Sequence, residues 1–190
     1  MQVFQAAETE RGAYVLSVGA LHPLKGHDFL IDSLATIPAD QRPPLLLVSD
    51  RVRERERSRL ERRAGDGGVE LRVRTRVSES EPARLYGQAR LVLYAPYEEP
   101  FGLVPIEAMA CGTPVLAVPE GGIVETVIDG ATGFLAPRDV HAFSERIRLL
   151  LDSPEAVRVA ANAASIVREQ WSWTVSVGKL ERLLMEAAGK

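Results

Sequence analysis

The sequence predicts an α/β domain: a Rossmann-like parallel sheet flanked by helices on both faces. Three observations predict it. Short apolar runs alternate with segments whose apolar residues recur at helical spacing, the pattern of successive βαβ units. Proline and glycine clusters such as Pro43-Pro44 and Gly65–Gly68 punctuate them. The chain has 190 residues, 46% hydrophobic and 26% charged, which suits one soluble domain, taken as residues 1–190, with a core that needs no staples.

The elements follow in order. Ala13–Val18 is a first strand ending at Gly19. Asp28–Ile37 is a helix with Phe29, Leu30, Leu34 and Ile37 on one face. Leu45–Ser49 is an apolar second strand, and Glu54–Ala64 a helix stopped by the Gly65–Gly68 turn. Val69–Val73, with alternating Val69, Leu71 and Val73, is the third strand. Glu81–Ala89 is a short helix with Pro82 in its first turn, and Leu91–Ala95 the fourth strand. Pro105 suits the first position of a helix through Cys111, and Gly112 the left-handed position just past its end. Thr113–Val118 is the fifth strand, Ile123–Ile128 a short helix, and Gly130–Leu135 a turn with a small strand. Val140–Asp152, Glu155–Gln170 and Thr174–Ala188 are helical.

Composition removes several functions. A net charge of −3 argues against a general nucleic-acid binder. The single cysteine, Cys111, excludes an internal disulfide and a thiolate metal cluster, and its apolar neighbours predict a buried, inert thiol. Met1–Gly12 lacks a signal-peptide pattern, and apolar runs such as Thr113–Pro119 are too short to span a bilayer, so a cytoplasmic location is expected. Phosphate-loop, dinucleotide-fingerprint, zinc-protease, nucleophile-elbow and EF-hand spacings are absent from the sequence.

Open α/β sheets bind ligands outside the carboxyl ends of their strands. The loops after strands one, four and five, Gly19–Gly26, Pro96–Val104 and Pro119–Gly122, therefore emerge on one edge. Gly121-Gly122 opens a helix, where free N–H groups and the absent side chains would cradle a phosphate; a plain glycine turn has the same composition. Pro100, Gly102 and Pro105 break any continuous helix, so Glu99 falls on the loop and Glu107 in the first helical turns, where the dipole would keep it ionised. A carboxylate there can accept hydrogen bonds from both hydroxyls of a ribose, or simply complement the dipole. Lys25, between Leu24 and Gly26, suits a diphosphate that gains charge as it leaves, or a surface position. His27 is expected on the surface at a helix start, and His141 is expected to be structural.

Arg51–Arg63 holds seven arginines and three glutamates. Arg51, Arg55 and Arg59 recur at helical spacing, with Glu54–Arg57 and Glu56–Arg59 as local pairs. A solvated helix edge explains this, and an anionic membrane surface or a partner domain is the other reading.

Glu99–Val118, EPFGLVPIEAMACGTPVLAV, resembles the retaining glycosyltransferases of family 4, which have the GT-B fold; its two glutamates match the E-x7-E motif. Val18–Ala35, Gly121–Pro137 and the Trp171-Ser172-Trp173 region support the resemblance, which runs from about Tyr14 to Leu184. It implies that Glu107 binds the donor ribose and that Glu99 lies beside the transferred sugar. Phe101, Gly102, Leu103 and Val104 correspond to the stretch whose amides meet sugar and diphosphate, with Gly19 in the first loop. Lys25 corresponds to the diphosphate lysine, and Gly121, Gly122 and Glu125 to the G-G-x-x-E element. Departures are Ala20, where the family commonly has arginine, Arg76, where many members have glycine, and Glu120 before the glycine pair.

The resemblance covers only the C-terminal, donor-binding half of such an enzyme. The N-terminal acceptor half is expected elsewhere, in the same polypeptide or in a partner chain, and the isolated domain should bind donor with little transfer. The implied substrate is a nucleoside diphosphate sugar, UDP-, GDP- or ADP-linked, whose hexosyl unit goes to a hydroxyl with retention; no cofactor or metal is implied. A non-catalytic nucleotide-sugar-binding module is the alternative, and a nucleotide-sugar epimerase of the same fold fits the motif less well.

Overall fold

Six strands pair side by side in the order β3-β2-β1-β4-β5-β6, and every pairing is parallel. The strands are β1 (Val15–Val18), β2 (Leu45–Ser49), β3 (Leu71–Thr75), β4 (Leu91–Tyr94), β5 (Val115–Ala117) and β6 (Phe134–Leu135). The computed structural model describes residues 12–78 and 81–189, without the side chain of Trp173. Almost all of Met1–Gly12, the segment on which the signal-peptide expectation rests, lies outside the described residues.

Strand periodicity sends alternate side chains to opposite faces, and each face has its own helical layer. Val15, Leu45, Leu47, Leu91, Leu93 and Leu116 pack against α1 (His27–Ala35), α2 (Glu54–Asp66) and α6 (Val140–Leu150). Leu16, Leu46, Val48, Val92, Tyr94 and Val115 pack against α3 (Glu81–Gln88), α4 (Leu103–Ala110) and α7 (Pro154–Gln170). Ala108 and Ala110 on α4 meet Ala163 on α7, small residues that let two helices approach closely. The remaining helices are α5 (Ile123–Thr126) and α8 (Trp173–Ala187). Leu180, Leu183 and Leu184 of α8 are exposed. Among the described residues no helix is long and apolar enough to cross a membrane.

The expected order of elements holds, with shifts that have local causes. Val69 is buried, but its N–H turns back to the Ala64 carbonyl at the end of α2, so β3 begins two residues later at Leu71. α4 begins at Leu103 instead of Pro105, because Gly102 adopts φ 89° and caps it. Cys111 is therefore the C-cap residue; burial pushes its thiol up to about 12, and it is inert at neutral pH. Arg51 precedes α2 and does not share its face, and Arg57 pairs with Glu61 at 2.8 Å instead of Glu54, whereas Glu56–Arg59 forms at 2.7 Å.

On the sheet edge away from those three loops, Arg42 ties the helix ends together. Its guanidinium donates to the carbonyls of Ala35, Ile37, Gly67 and Gly68 at 2.6–3.0 Å. These carbonyls end or follow α1 and α2 and have no intrahelical donor.

Candidate functional site

β1 pairs with both β2 and β4, so the sheet order reverses there and a crevice opens at the carboxyl ends of β1 and β4. The first loop forms a ridge within it. Gly19 faces a cavity of about 210 Å³ and Ala20 a neighbouring cavity of about 370 Å³. At φ 155°, Gly19 holds a backbone conformation that side chains rarely take.

The smaller cavity is mostly apolar. Leu16, Val18, Val48, Val77 and Leu85 line it, with Glu107, Tyr86 and Asp50 as its polar lining. The Tyr86 hydroxyl donates to Glu107 Oε2 at 2.8 Å. Burial raises the Glu107 carboxyl above its ordinary range, partly opposed by that hydrogen bond. The dipole expected to keep it ionised is outweighed, because α4 starts at Leu103 and Glu107 is its fifth residue, beyond the strongest field.

The larger cavity is charged. Lys25 Nζ meets Glu99 Oε2 at 2.8 Å, and His22, Arg51, Arg53 and Glu98 share its walls. Burial would raise Glu99, but hydrogen bonds from Lys25 and Tyr94, the Lys25 charge and the Gly102 N–H outweigh it and hold the carboxyl low. Glu98, beside it, takes φ 50°, a strained conformation for a residue with a side chain. Under the ridge lies His27, which is 2% exposed and not on the surface. Its Nδ1 is 3.5 Å from Ser17 Oγ and its Nε2 3.3 Å from the Ala20 carbonyl. Burial lowers its pKa to about 4, so the ring is neutral. His22 accepts the Leu24 N–H and caps the single 3-10 turn Pro23–Lys25, while His141 is exposed.

The other candidates gather around Glu99 without lining either cavity. Gly102 donates to its carboxylate, and Leu103 and Val104 supply the first amides of α4, which has no side-chain cap. Phe101 packs edge-on against Trp171, ring centroids 5.3 Å apart. The Gly122 N–H donates to the Glu99 carbonyl at 2.8 Å, so that amide is committed to protein, and Gly121 alone of the pair has no backbone bond among the described residues. A Cβ on Gly121 would overlap the Glu99 carbonyl, and one on Gly122 that of Pro100. The pair thus allows the loops after β4 and β5 to touch. Glu125 is exposed; its N–H donates to the Gly122 carbonyl at 3.1 Å, and its carboxylate joins no hydrogen bond or ion pair among the described residues.

Sequence reasoning missed Arg138. Its guanidinium holds Glu120 through both carboxylate oxygens at 2.7 Å and donates to the carbonyls of Ala95 and Pro96 at 2.9 and 2.8 Å. It also stacks 3.8 Å over the Tyr97 ring. Glu120, which the sequence set close to an anion, is neutralised by this partner and held low in pKa by it. Tyr86 and Tyr94, the two hydroxyls that hold Glu107 and Glu99, were missed as well. Among the described residues no group of three or more His, Cys, Asp or Glu side chains could hold a metal ion.

Comparison with known proteins places this geometry. The family model described as glycosyl transferases group 1 matches residues 2–166. A D-inositol 3-phosphate glycosyltransferase of Streptomyces avermitilis is 34% identical over 170 residues, covering 83% of this chain and 36% of the relative. The sucrose-phosphate synthase of Thermosynechococcus elongatus superimposes with a TM-score of 0.83 at 30% identity, over 98% of this chain and 51% of the other. Anabaena HepE, solved in complex with UDP and glucose, gives 0.84 at 25% identity, over 96% of this chain and 54% of the other. The chain therefore spans between about a third and a half of the lengths of these proteins.

Proposed function

The chain belongs to the glycosyl transferases group 1 family, and we propose that residues 1–190 are the C-terminal, donor-binding half of a retaining GT-B glycosyltransferase. The observation that carries this reading is the two-chambered crevice. Its apolar chamber ends in Glu107, its charged chamber holds the Lys25–Glu99 pair, and Gly19–Ala20 forms the ridge between them. A nucleoside diphosphate sugar has the same order of properties: a flat base and ribose, a diphosphate, then a polar sugar. HepE, its neighbour in fold, was solved with UDP and glucose, which supports the same ligand class here.

In this reading base and ribose enter the apolar chamber, and Glu107 accepts the ribose hydroxyls while Tyr86 fixes its orientation. The diphosphate crosses Gly19, where no side chain blocks the backbone. Lys25 exchanges part of its contact with Glu99 for the phosphate oxygens, and the free amides of Leu103 and Val104 face developing negative charge. Glu99 then accepts sugar hydroxyls and orients the anomeric carbon. The diphosphate departs with the bonding electron pair, and the acceptor hydroxyl oxygen takes its place on the same face, its proton passing to the departing phosphate oxygen. The acceptor site belongs to the N-terminal half, so transfer by this chain alone is weak.

Calorimetric titration with UDP, GDP and ADP, each with and without Mg²⁺, tests this. One diphosphate should bind in the micromolar-to-millimolar range, with or without metal, and Lys25→Ala should weaken it about tenfold, or ~1.4 kcal/mol. Absence of binding both here and after fusion to an N-terminal half would sink the donor reading. Binding without transfer in that fusion would make the chain a nucleotide-sugar-binding module.

A further inference from the structure

The crevice leaves a second concentration of charge unused. A cavity of about 310 Å³ lies between Pro23 and α2, lined also by Arg53, Arg55, Glu56, Arg59 and Arg62. Its one carboxylate is already taken: Arg59 Nε and Nη2 donate to Glu56 at 3.0 and 2.7 Å, and Arg59 also lies 3.5 Å from Asp28. The side chains of Arg53, Arg55 and Arg62 have no hydrogen bond or ion pair among the described residues.

That absence contrasts with the rest of the helix. Arg57 holds Glu61 at 2.8 Å, and Arg63 holds both oxygens of Asp32 at 2.6 Å. Arg57, Arg59 and Arg63 thus have acidic partners along α2, whereas the side chains of Arg53, Arg55 and Arg62 on the cavity wall have none among the described residues. Arg55, Arg59 and Arg62 share one face and repeat across about 10 Å of helix, and like charges this close repel. Arg53, the N-cap residue, provides no side-chain cap, so the first amides of α2 lack a side-chain acceptor. The chain as a whole carries −3, so this positive cavity is a local concentration and not an effect of average composition. Guanidinium forks match phosphate oxygens in pairs, and the volume, about ten waters' worth at roughly 30 Å³ each, holds a phosphate with part of its carrier.

We propose that this cavity binds a phosphate-bearing anion, a phosphomonoester or a diphosphate, at a site separate from the crevice. Arg55, Arg59 and Arg62 grip its oxygens from the helix face, and Arg53, which also lines the charged chamber beside Lys25, closes the end nearest the crevice. The anion is the phosphate of a soluble metabolite or that of a lipid headgroup; the recognising chemistry is shared.

Inorganic pyrophosphate is the probe. In the 15N-labelled chain the side-chain N–H signals of Arg55, Arg59 and Arg62, assigned from single Gln variants, should move saturably with pyrophosphate. The double variant Arg55→Gln/Arg62→Gln should weaken this binding about tenfold while its thermal unfolding stays unchanged, since both side chains are exposed. Lys25→Ala should leave these shifts in place. Shifts that equal ionic strength in chloride reproduces, that ignore the double variant, or that vanish with Lys25→Ala would each overturn the proposal. Sedimentation with phosphatidylcholine vesicles, with and without phosphatidic acid, separates the sources. Co-sedimentation that needs phosphatidic acid and both arginines assigns the headgroup, and pyrophosphate binding without it assigns a soluble phosphate. Co-sedimentation indifferent to the double variant counts against the cavity.

Discussion

Glu99 lies on the connection between β4 and α4 and Glu107 further on within α4, yet their surroundings drive them in opposite directions. Burial opposes ionisation at both. At Glu99 it is overcome by Lys25, Tyr94 and the Gly102 amide, so the carboxylate is charged, paired and held low in pKa. At Glu107 only Tyr86 answers burial, and the carboxyl is raised. One motif thus holds a fixed, paired charge and a partly desolvated carboxyl, which the proposed function assigns to the polar end of the ligand and to its diol. Environment, not residue type, divides the two roles.

The largest effect that would sharpen this contrast concerns the support of the charged end. His27 is neutral beneath the ridge with its pKa at about 4. A basic group depressed on folding stabilises the fold fully above its unfolded pKa, near 6.5, and loses that contribution as pH falls through the folded value. Between pH 7 and 4 this loss amounts to about 3 kcal/mol. Urea unfolding of His27→Gln should show a correspondingly shallower acid decline than the parent; equal slopes would show that the imidazole is not the sensor.

The next test separates the two ends by ligand. Lys25→Ala should weaken UDP about tenfold but leave uridine unchanged, while Glu107→Ala should weaken both several-fold, or roughly 1 kcal/mol. If Lys25→Ala also weakened uridine, the two chambers would not be independent.

A smaller effect lies in the acid limb of stability. The contribution of Glu99 is present above the ordinary carboxylate pKa and fades as pH falls through its lowered value. Glu107 works the other way: its raised pKa disfavours the fold at neutral pH, and the penalty disappears as pH falls through that value. Glu99→Gln should therefore flatten the acid decline and Glu107→Gln steepen it, both read from unfolding free energies across pH 3–7.

The smallest concerns Arg76, the residue before Val77 of the apolar chamber. Arg76 takes φ 56° and is exposed, a conformation that costs a side-chain-bearing residue about 1 kcal/mol. Arg76→Gly should raise stability by up to about 1 kcal/mol, less the entropy glycine adds to the unfolded chain. A loss of stability would show that the arginine makes up its backbone strain elsewhere.

The strands and their succession along the chain were legible because apolar runs and their breakers are local signals, whereas their order in the sheet came only from the structure. The convergence of the three loops follows from parallel topology alone. Glu99, Glu107 and Lys25 were legible through their motif context. What escaped has partners far along the chain: Arg138 reaches 42 and 43 residues to Pro96 and Ala95, and Tyr86 reaches 21 to Glu107. His27 was misplaced because Lys25 and Asp28 flank it with charge, while the register of α1 over β1 that buries it leaves no trace in local composition. The cap at Gly102 was hidden by Pro105, which suits a helix start but stands at the third position.

The Arg138 clamp and the Gly122–Glu99 bond have a kinetic consequence. They rivet the connections after β4 and β5 to one another, so neither can open while the other stays closed. In hydrogen exchange their protected amides should behave as one cooperative unit with a common opening free energy. The first loop is tied to the same side, through the Tyr97 N–H to the Leu24 carbonyl at 2.8 Å and Lys25 to Glu99 at 2.8 Å, so a bound ligand meets all three connections as one fixed jaw.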